Sequence, residues 1–128
     1  MKISTMQFGE VELDPELILK FPSGLFGFEK LKEFVLIKTG ESIFYWLFSV
    51  EEPSIGFPLV GLRVIDSSFP EEKDHEAFGI VSFDPDPLKV TINLKAPLYV
   101  NQNKKSGFQK ILEEDNYSVN YNLFVEKA

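Results

Sequence analysis

The chain has 128 residues and no cysteine, which suits one domain over residues 1–128 and excludes disulfides and thiolate metal sites. Its net charge of -7 disfavours binding to RNA, DNA and anionic membranes, and no apolar run reaches the roughly 18 residues of a membrane span. We therefore expect a cytoplasmic domain that binds neither nucleic acid nor membrane directly.

Apolar runs with strand periodicity dominate the chain, and helical patterns are scarce. The spacing of roughly ten residues between these runs predicts an all-β, small β-barrel-like domain. One or two short helical turns are expected, at Pro15–Leu19 after the N-cap Asp14 and at Phe28–Lys32. The predicted strands, in chain order, are Lys2–Phe8, Phe34–Lys38, Phe44–Val50, Gly61–Ile65, Ala77–Phe83 and Lys89–Lys95, with a hairpin over Pro97–Leu112.

The dipeptide Ala96-Pro97 is predicted to end one strand and to redirect the chain into the next. Proline has no backbone N–H to donate, so it belongs at a strand start, an edge or a bulge. On this prediction Leu94 and Leu98 are core residues, and Asn101 ends the second strand.

Residue patterns for catalysis are missing from the sequence. His75 is the only histidine and lies in a polar loop, and no serine stands in a nucleophile elbow. Asp84 and Asp86 alternate with prolines, which is typical of a rigid turn rather than a calcium loop. We therefore expect no enzymatic activity, no cofactor and no metal.

Phe44, Trp46 and Phe48 share one face of a predicted strand. Such a stripe usually belongs to the core. The alternative is a stacking platform, which would make the chain a small β-barrel module for carbohydrate or single-stranded nucleic acid. Glu51 and Glu52 follow this strand where a nucleic-acid platform would need basic residues.

Three segments resemble, in order and spacing, signatures of the flagellar assembly factor family FliW. They are FPSGLFGFE (Phe21–Glu29), LFSVEEPSIGF (Leu47–Phe57) and TINLKAPLYVN (Thr91–Asn101). Phe26 stands where proline is usual, and the C-terminal pattern departs from the family. The matching motif residues are Phe21, Gly24, Gly27, Phe28, Pro53, Asn93, Leu94, Ala96, Pro97 and Asn101.

The resemblance implies a β-barrel-like, non-enzymatic regulator with two protein partners. We expect the free protein to be monomeric. One partner is flagellin, held in the cytoplasm before export. The other is CsrA, a basic RNA-binding protein that represses flagellin translation. When flagellin leaves, the freed factor captures CsrA and relieves the repression. An acidic chain suits a basic partner, because opposite charge speeds encounter.

The first of these segments is apolar yet broken by glycine. Gly24 and Gly27 allow a tight fold over a barrel end, with Phe21 and Phe28 expected in the core and Phe26 partly exposed. Phe26 is therefore the candidate apolar anchor for a partner. The acidic candidates for the CsrA contact are Glu29, Glu51, Glu52, Asp84 and Asp86.

Overall fold

The computed structural model describes residues 1–38, 40 and 42–124. Short strands dominate this part of the chain. A four-residue helix, α1 (Leu62–Ile65), and two 3₁₀ turns (Pro15–Leu17 and Pro87–Lys89) interrupt them. The strands are β1 (Lys2–Thr5), β2 (Gly9–Glu12), β3 (Leu19–Lys20), β4 (Glu33–Lys38), β5 (Phe44–Ser49), β6 (Gly56–Gly61), β7 (Glu76–Ser82), β8 (Thr91–Asn101), β9 (Ser106–Gln109) and β10 (Tyr121–Asn122).

Seven of these strands close into a barrel in the order β8-β7-β6-β5-β4-β3-β9, with β9 pairing back onto β8. All pairs in the ring are antiparallel except β3 with β9, which meet at Lys20 and Ser106. Closure leaves no free sheet edge in the ring. The hairpin β1–β2 lies outside it, and β10 pairs with the first residues of β8. The predicted all-β, barrel-like fold is confirmed.

Side chains fill the barrel interior and also bury two parts of its outer wall. The β1–β2 hairpin covers β4 and β5 through Ile3, Leu13, Val35 and Phe48. The segment around α1 and residues 110–123 cover β6, β7 and β8, and we call the side chains buried there, among them Leu62, Ile92 and Leu112, the outer-wall cluster. The buried residues of the interior cluster are Leu19, Phe21, Leu25, Leu31, Phe34, Leu47, Leu59, Phe78, Leu98 and Val100.

The predictions for Phe28–Lys32 and Gly61–Ile65 are wrong. Phe28–Lys32 forms no helix, since successive turns join Phe28 N–H to Leu25 C=O at 2.7 Å and Leu31 N–H to Phe28 C=O at 3.1 Å. The predicted strand at Gly61–Ile65 is helix α1 after its first residue. Pairing between β6 and β7 ends at Gly61, so the apolar run beyond it has no strand partner.

The 3₁₀ turn at Pro15–Leu17 confirms the start of the first predicted helical turn. The Asp14 carboxylate accepts a hydrogen bond from Glu16 N–H at 2.9 Å, as an N-cap does. The turn is shorter than predicted, because Leu19 already belongs to β3.

Ala96-Pro97 does not end a strand, and that prediction is wrong. β8 continues through both residues, and its register with β7 shifts between Phe78 and Ile80. Pro97, which has no backbone N–H, therefore lies in an irregular part of the β7–β8 ladder, where no hydrogen bond from that position is required. Asn93 supports it, because its side-chain oxygen accepts from the N–H groups of Lys95 (3.0 Å) and Ala96 (3.1 Å).

The residues around this bulge follow the sequence expectations in part. Leu98 is fully buried, as predicted, and Asn101 is the last residue of β8. Leu94 is only half-buried at the margin of the outer-wall cluster, because it lies on the same strand face as Ile92. The bulge that follows brings Leu98 to the interior instead.

Candidate protein-binding surface

Three connections meet at one end of the barrel: residues 21–32, 50–55 and 83–90. Neighbouring strands from β3 to β8 run antiparallel, so alternate connections emerge at the same end. We call this end the plug end. It carries all the side chains that the sequence proposes for partner binding: Phe26, Glu29, Glu51, Glu52, Asp84 and Asp86.

The first connection closes the barrel with apolar side chains. Phe21 is fully buried, its ring edge-on to Phe34 with centroids 5.3 Å apart. Leu25 and Leu31 are buried beside it. The segment is tied across its base by a hydrogen bond from Phe21 N–H to Lys32 C=O at 2.8 Å. Phe21 therefore plugs the end, as predicted.

Gly24 and Gly27 both hold positive φ angles, of 66° and 86°. A Cβ on Gly24 would lie 2.7 Å from the backbone of Glu29, whereas a Cβ on Gly27 would meet open space. Only glycine allows the close approach at residue 24, and both positions favour it for their backbone angle.

Phe26 and Phe28 point outward from this plug. Phe26 is 50% exposed, as the sequence predicts for an anchor. Phe28 is 37% exposed, its ring edge-on to Phe57 at 5.2 Å, so its prediction as a core residue is wrong. Leu25 and Leu31 occupy the interior instead, because the turn at Phe26-Gly27 directs Phe28 away from it.

Gln109 supports this outward turn, and sequence reasoning missed it. Its side-chain oxygen accepts from Phe26 N–H at 2.8 Å, and its Nε2 donates to Ala96 C=O at 3.0 Å. Gln109 lies on β9, far from residue 26 in the chain, so no local signal marks its role.

The acidic residues of the first two connections have different surroundings. Glu51 accepts from the N–H groups of Lys32 (3.0 Å) and Glu33 (3.1 Å), which joins the two connections. Glu29 accepts from Gly27 N–H at 2.7 Å. Glu52 lines a cleft of about 280 Å³ with residues 27–31. Among the described residues its carboxylate has no hydrogen-bond or ion-pair partner, so it is free for a partner.

Pro53 shapes the turn that presents Glu52. It is the second residue of a turn closed by a hydrogen bond from Ile55 N–H to Glu52 C=O at 2.8 Å. Proline suits this position because its fixed φ matches the turn.

Asp84 and Asp86 accept hydrogen bonds within their own turn. Asp84 accepts from Asp86 N–H at 2.9 Å, and Asp86 accepts from Leu88 N–H at 3.0 Å as the cap of a 3₁₀ turn. In the described part of the chain no hydrogen bond links them to the other two connections. Topology brings them to the plug end without joining them to Phe26.

The His75 side chain forms no hydrogen bond with another side chain among the described residues. His75 lies in the connection before β7, its Nδ1 2.7 Å from the Lys73 carbonyl oxygen and its ring against Phe108. The described residues contain no group of three side chains arranged to hold a metal ion. Within 1–38, 40 and 42–124 no helix is both long and apolar enough to cross a bilayer.

The aromatic strand face has a mixed environment. Phe48 is buried under the β1–β2 hairpin, as a core residue would be. Phe44 and Trp46 are only half-buried on the outer wall of the barrel.

The chain folds as a small seven-stranded β-barrel whose interior is filled by its own side chains. A barrel of this class has no room for a ligand inside, so it makes its contacts on the outer surface. The family model for FliW protein matches residues 2–69 and 62–123. The chain therefore belongs to the FliW family.

Individual relatives agree with this assignment. The flagellar assembly factor FliW of Caldicellulosiruptor saccharolyticus is 37% identical over 91% of this chain and 86% of its own length. The factor of Bdellovibrio bacteriovorus is 36% identical over 98% of this chain and 81% of its own. A crystal structure of the flagellar assembly factor FliW matches all of both chains with a TM-score of 0.90 and 30% identity.

Proposed function

We propose that this chain is a flagellar assembly factor that acts in the cytoplasm by binding other proteins and catalyses no reaction. Membership of the FliW family supports the role in flagellar assembly, since its relatives carry that name. The exposed aromatic and acidic side chains of the plug end support the binding of proteins.

The partners we propose are flagellin and CsrA, which the resemblance to the family implies. Flagellin occupies the factor until it is exported. The free factor, a monomer, then binds CsrA, and flagellin translation resumes. Direct binding to RNA plays no part, because the net charge of -7 repels it.

The plug end is the contact we propose for CsrA, and exposed Phe26 carries this proposal. Its backbone N–H is held by Gln109, so a partner would meet a ring that projects from a fixed backbone position. Glu52 lies on the adjacent connection, and within the described part of the chain its carboxylate has no hydrogen-bond or ion-pair partner. An apolar anchor beside a free negative charge suits a basic partner, since the charge guides encounter and the anchor slows release.

The test is to mix the purified full-length protein with purified CsrA and, separately, with purified flagellin, and to pass each mixture over a size-exclusion column. We expect a complex with each partner, and we expect added flagellin to displace CsrA. The absence of any complex with either protein would contradict the proposed function.

A further inference from the structure

Four aromatic side chains form a continuous strip on the outer wall of the barrel. Phe8 packs edge-on against Trp46 with centroids 6.1 Å apart, Trp46 lies 6.2 Å from Phe83, and Phe83 lies 5.1 Å from Phe44. We call this set the wall strip. It lies between the part of the wall that the β1–β2 hairpin covers and the part that the C-terminal region covers.

Two rings of the wall strip, Phe8 and Phe83, are open to solvent. Phe8 is 39% exposed and Phe83 is 52% exposed. Trp46, between them, is half-buried. A contiguous exposed apolar surface of this kind marks an interaction site more often than a scattered hydrophobic residue does.

Negative charge borders the wall strip at Phe83, which is followed directly by the turn that holds Asp84 and Asp86. Each carboxylate uses Oδ1 for a hydrogen bond within the turn. The described hydrogen bonds and ion pairs leave both Oδ2 atoms unused, so each can accept from a donor outside the chain.

We propose that the wall strip and this acidic turn bind an arginine-bearing segment of a protein partner. A guanidinium group stacks on aromatic faces and donates to carboxylates in a fixed geometry, so one side chain satisfies both features. Phosphates would be repelled by Asp84 and Asp86, which argues against nucleic acid. The inference rests on the proposed function in one respect, that the ligand belongs to a protein.

Trp46 is the only tryptophan of the chain and reports directly on this surface. The test titrates the full-length protein with a blocked pentapeptide, Gly-Arg-Gly-Arg-Gly, and with its lysine counterpart, while tryptophan emission is followed. We expect a saturable change with the arginine peptide and binding weaker by about fivefold with the lysine peptide.

Substitutions distinguish the effect of charge on peptide binding from an effect of misfolding. Asp84→Asn with Asp86→Asn removes both charges but keeps the oxygens that hold the turn, and should weaken arginine-peptide binding by about fivefold. Phe83→Ala should weaken it to a similar degree. The matched control, Asp74→Asn with Glu76→Gln, removes two exposed charges at the opposite end of the barrel and should bind the peptide like the wild type.

Three outcomes would overturn the inference: no change in Trp46 emission, equal binding of both peptides, or tighter binding of a neutral oligosaccharide or an oligothymidylate. These outcomes are distinct from failure of the proposed function. A protein that forms complexes with CsrA and flagellin but ignores the arginine peptide contradicts only the wall-strip inference. A protein that binds the peptide but neither partner contradicts the proposed function.

Discussion

Gly24 and Gly27 share a left-handed backbone but differ in the space around them, and this difference separates two physical effects. Alanine at either position suffers the strain of a positive φ, about 1–2 kcal/mol. Alanine at residue 24 must also displace the backbone of Glu29, only 2.7 Å from the added Cβ. Backbone cannot yield as a flexible side chain can, so the plug should respond to the two substitutions unequally.

We predict that Gly24→Ala lowers the free energy of unfolding by about 2–4 kcal/mol, and that Gly27→Ala lowers it by about 1 kcal/mol. Urea unfolding at neutral pH measures both, with comparable slopes required for the comparison. Equal losses would show that the Gly24 turn relaxes without strain.

Tyr99 makes stability sensitive to alkaline pH. Burial, helped by the negative charge of Glu72, raises the pKa of Tyr99 from 10.0 to about 12. Its hydroxyl donates to the Pro70 carbonyl at 3.0 Å. The folded protein therefore holds this proton more tightly than the unfolded chain does, and the resulting stabilisation is complete below pH 10 and is lost as pH rises toward 12.

We predict that the free energy of unfolding falls over this alkaline window, and that it falls less steeply in Tyr99→Phe. At neutral pH the variant should be less stable by about 1 kcal/mol, since it loses one hydrogen bond. Denaturant unfolding at a series of pH values measures both effects. Identical alkaline slopes in the two proteins would show that Tyr99 ionises as freely in the folded state as in the unfolded chain.

At the scale of elements, β8 decides how the barrel is built. Its first residues pair with β10 and its last ones pair with β9. The bulge around Asn93 and Pro97 lies between these two parts, so one strand makes both pairings. The bulge also separates two leucines that the sequence treats alike. Leu98 faces the interior, while Leu94 packs at the margin of the outer wall.

We predict that Leu98→Ala lowers the free energy of unfolding by about 2–5 kcal/mol and that Leu94→Ala lowers it by about 1–2 kcal/mol. Chemical denaturation of the two variants in parallel gives the comparison. A loss at Leu94 as large as the loss at Leu98 would place both side chains in the interior.

Periodicity was sufficient to predict most strands, because the runs from Phe34, Phe44 and Ala77 are long and strongly apolar. It failed at Gly61–Ile65, where a short apolar run is equally compatible with a helix, and only the end of β6–β7 pairing decides. The parallel pair of β3 with β9 closes the barrel through residues far apart in the chain, and no local sequence pattern predicts this pairing.

The candidate site shows the same limit. The glycines of FPSGLFGFE predict a tight plug and an exposed Phe26, since both follow from local conformational rules. The support from Gln109 and the link from Glu51 to the start of β4 depend on side chains from other strands. These contacts depend on the assembled barrel, so local sequence reasoning could not supply them.

For the whole molecule, the barrel interior gives stability, and we propose that the outer surface makes the contacts with partners. The central proposal is that the plug end binds CsrA through Phe26 and nearby negative charge. Glu51 is a poor probe of this claim, because Glu51→Lys also removes acceptors for two backbone N–H groups and so destabilises the plug. Glu52 is exposed, and among the described residues its carboxylate has no partner, so it tests the charge without that loss.

The most direct measurement is surface plasmon resonance with immobilised CsrA at two salt concentrations. We predict that Glu52→Lys slows association and weakens its dependence on salt, and that Phe26→Ala mainly speeds dissociation. The matched control Glu76→Lys makes the same charge change at the opposite end of the barrel and should alter neither rate beyond the effect of net charge. Unchanged rates in both plug-end variants would contradict the account. Slower association in Glu76→Lys alone would place the contact in the polar loop at Pro70–Glu76 instead.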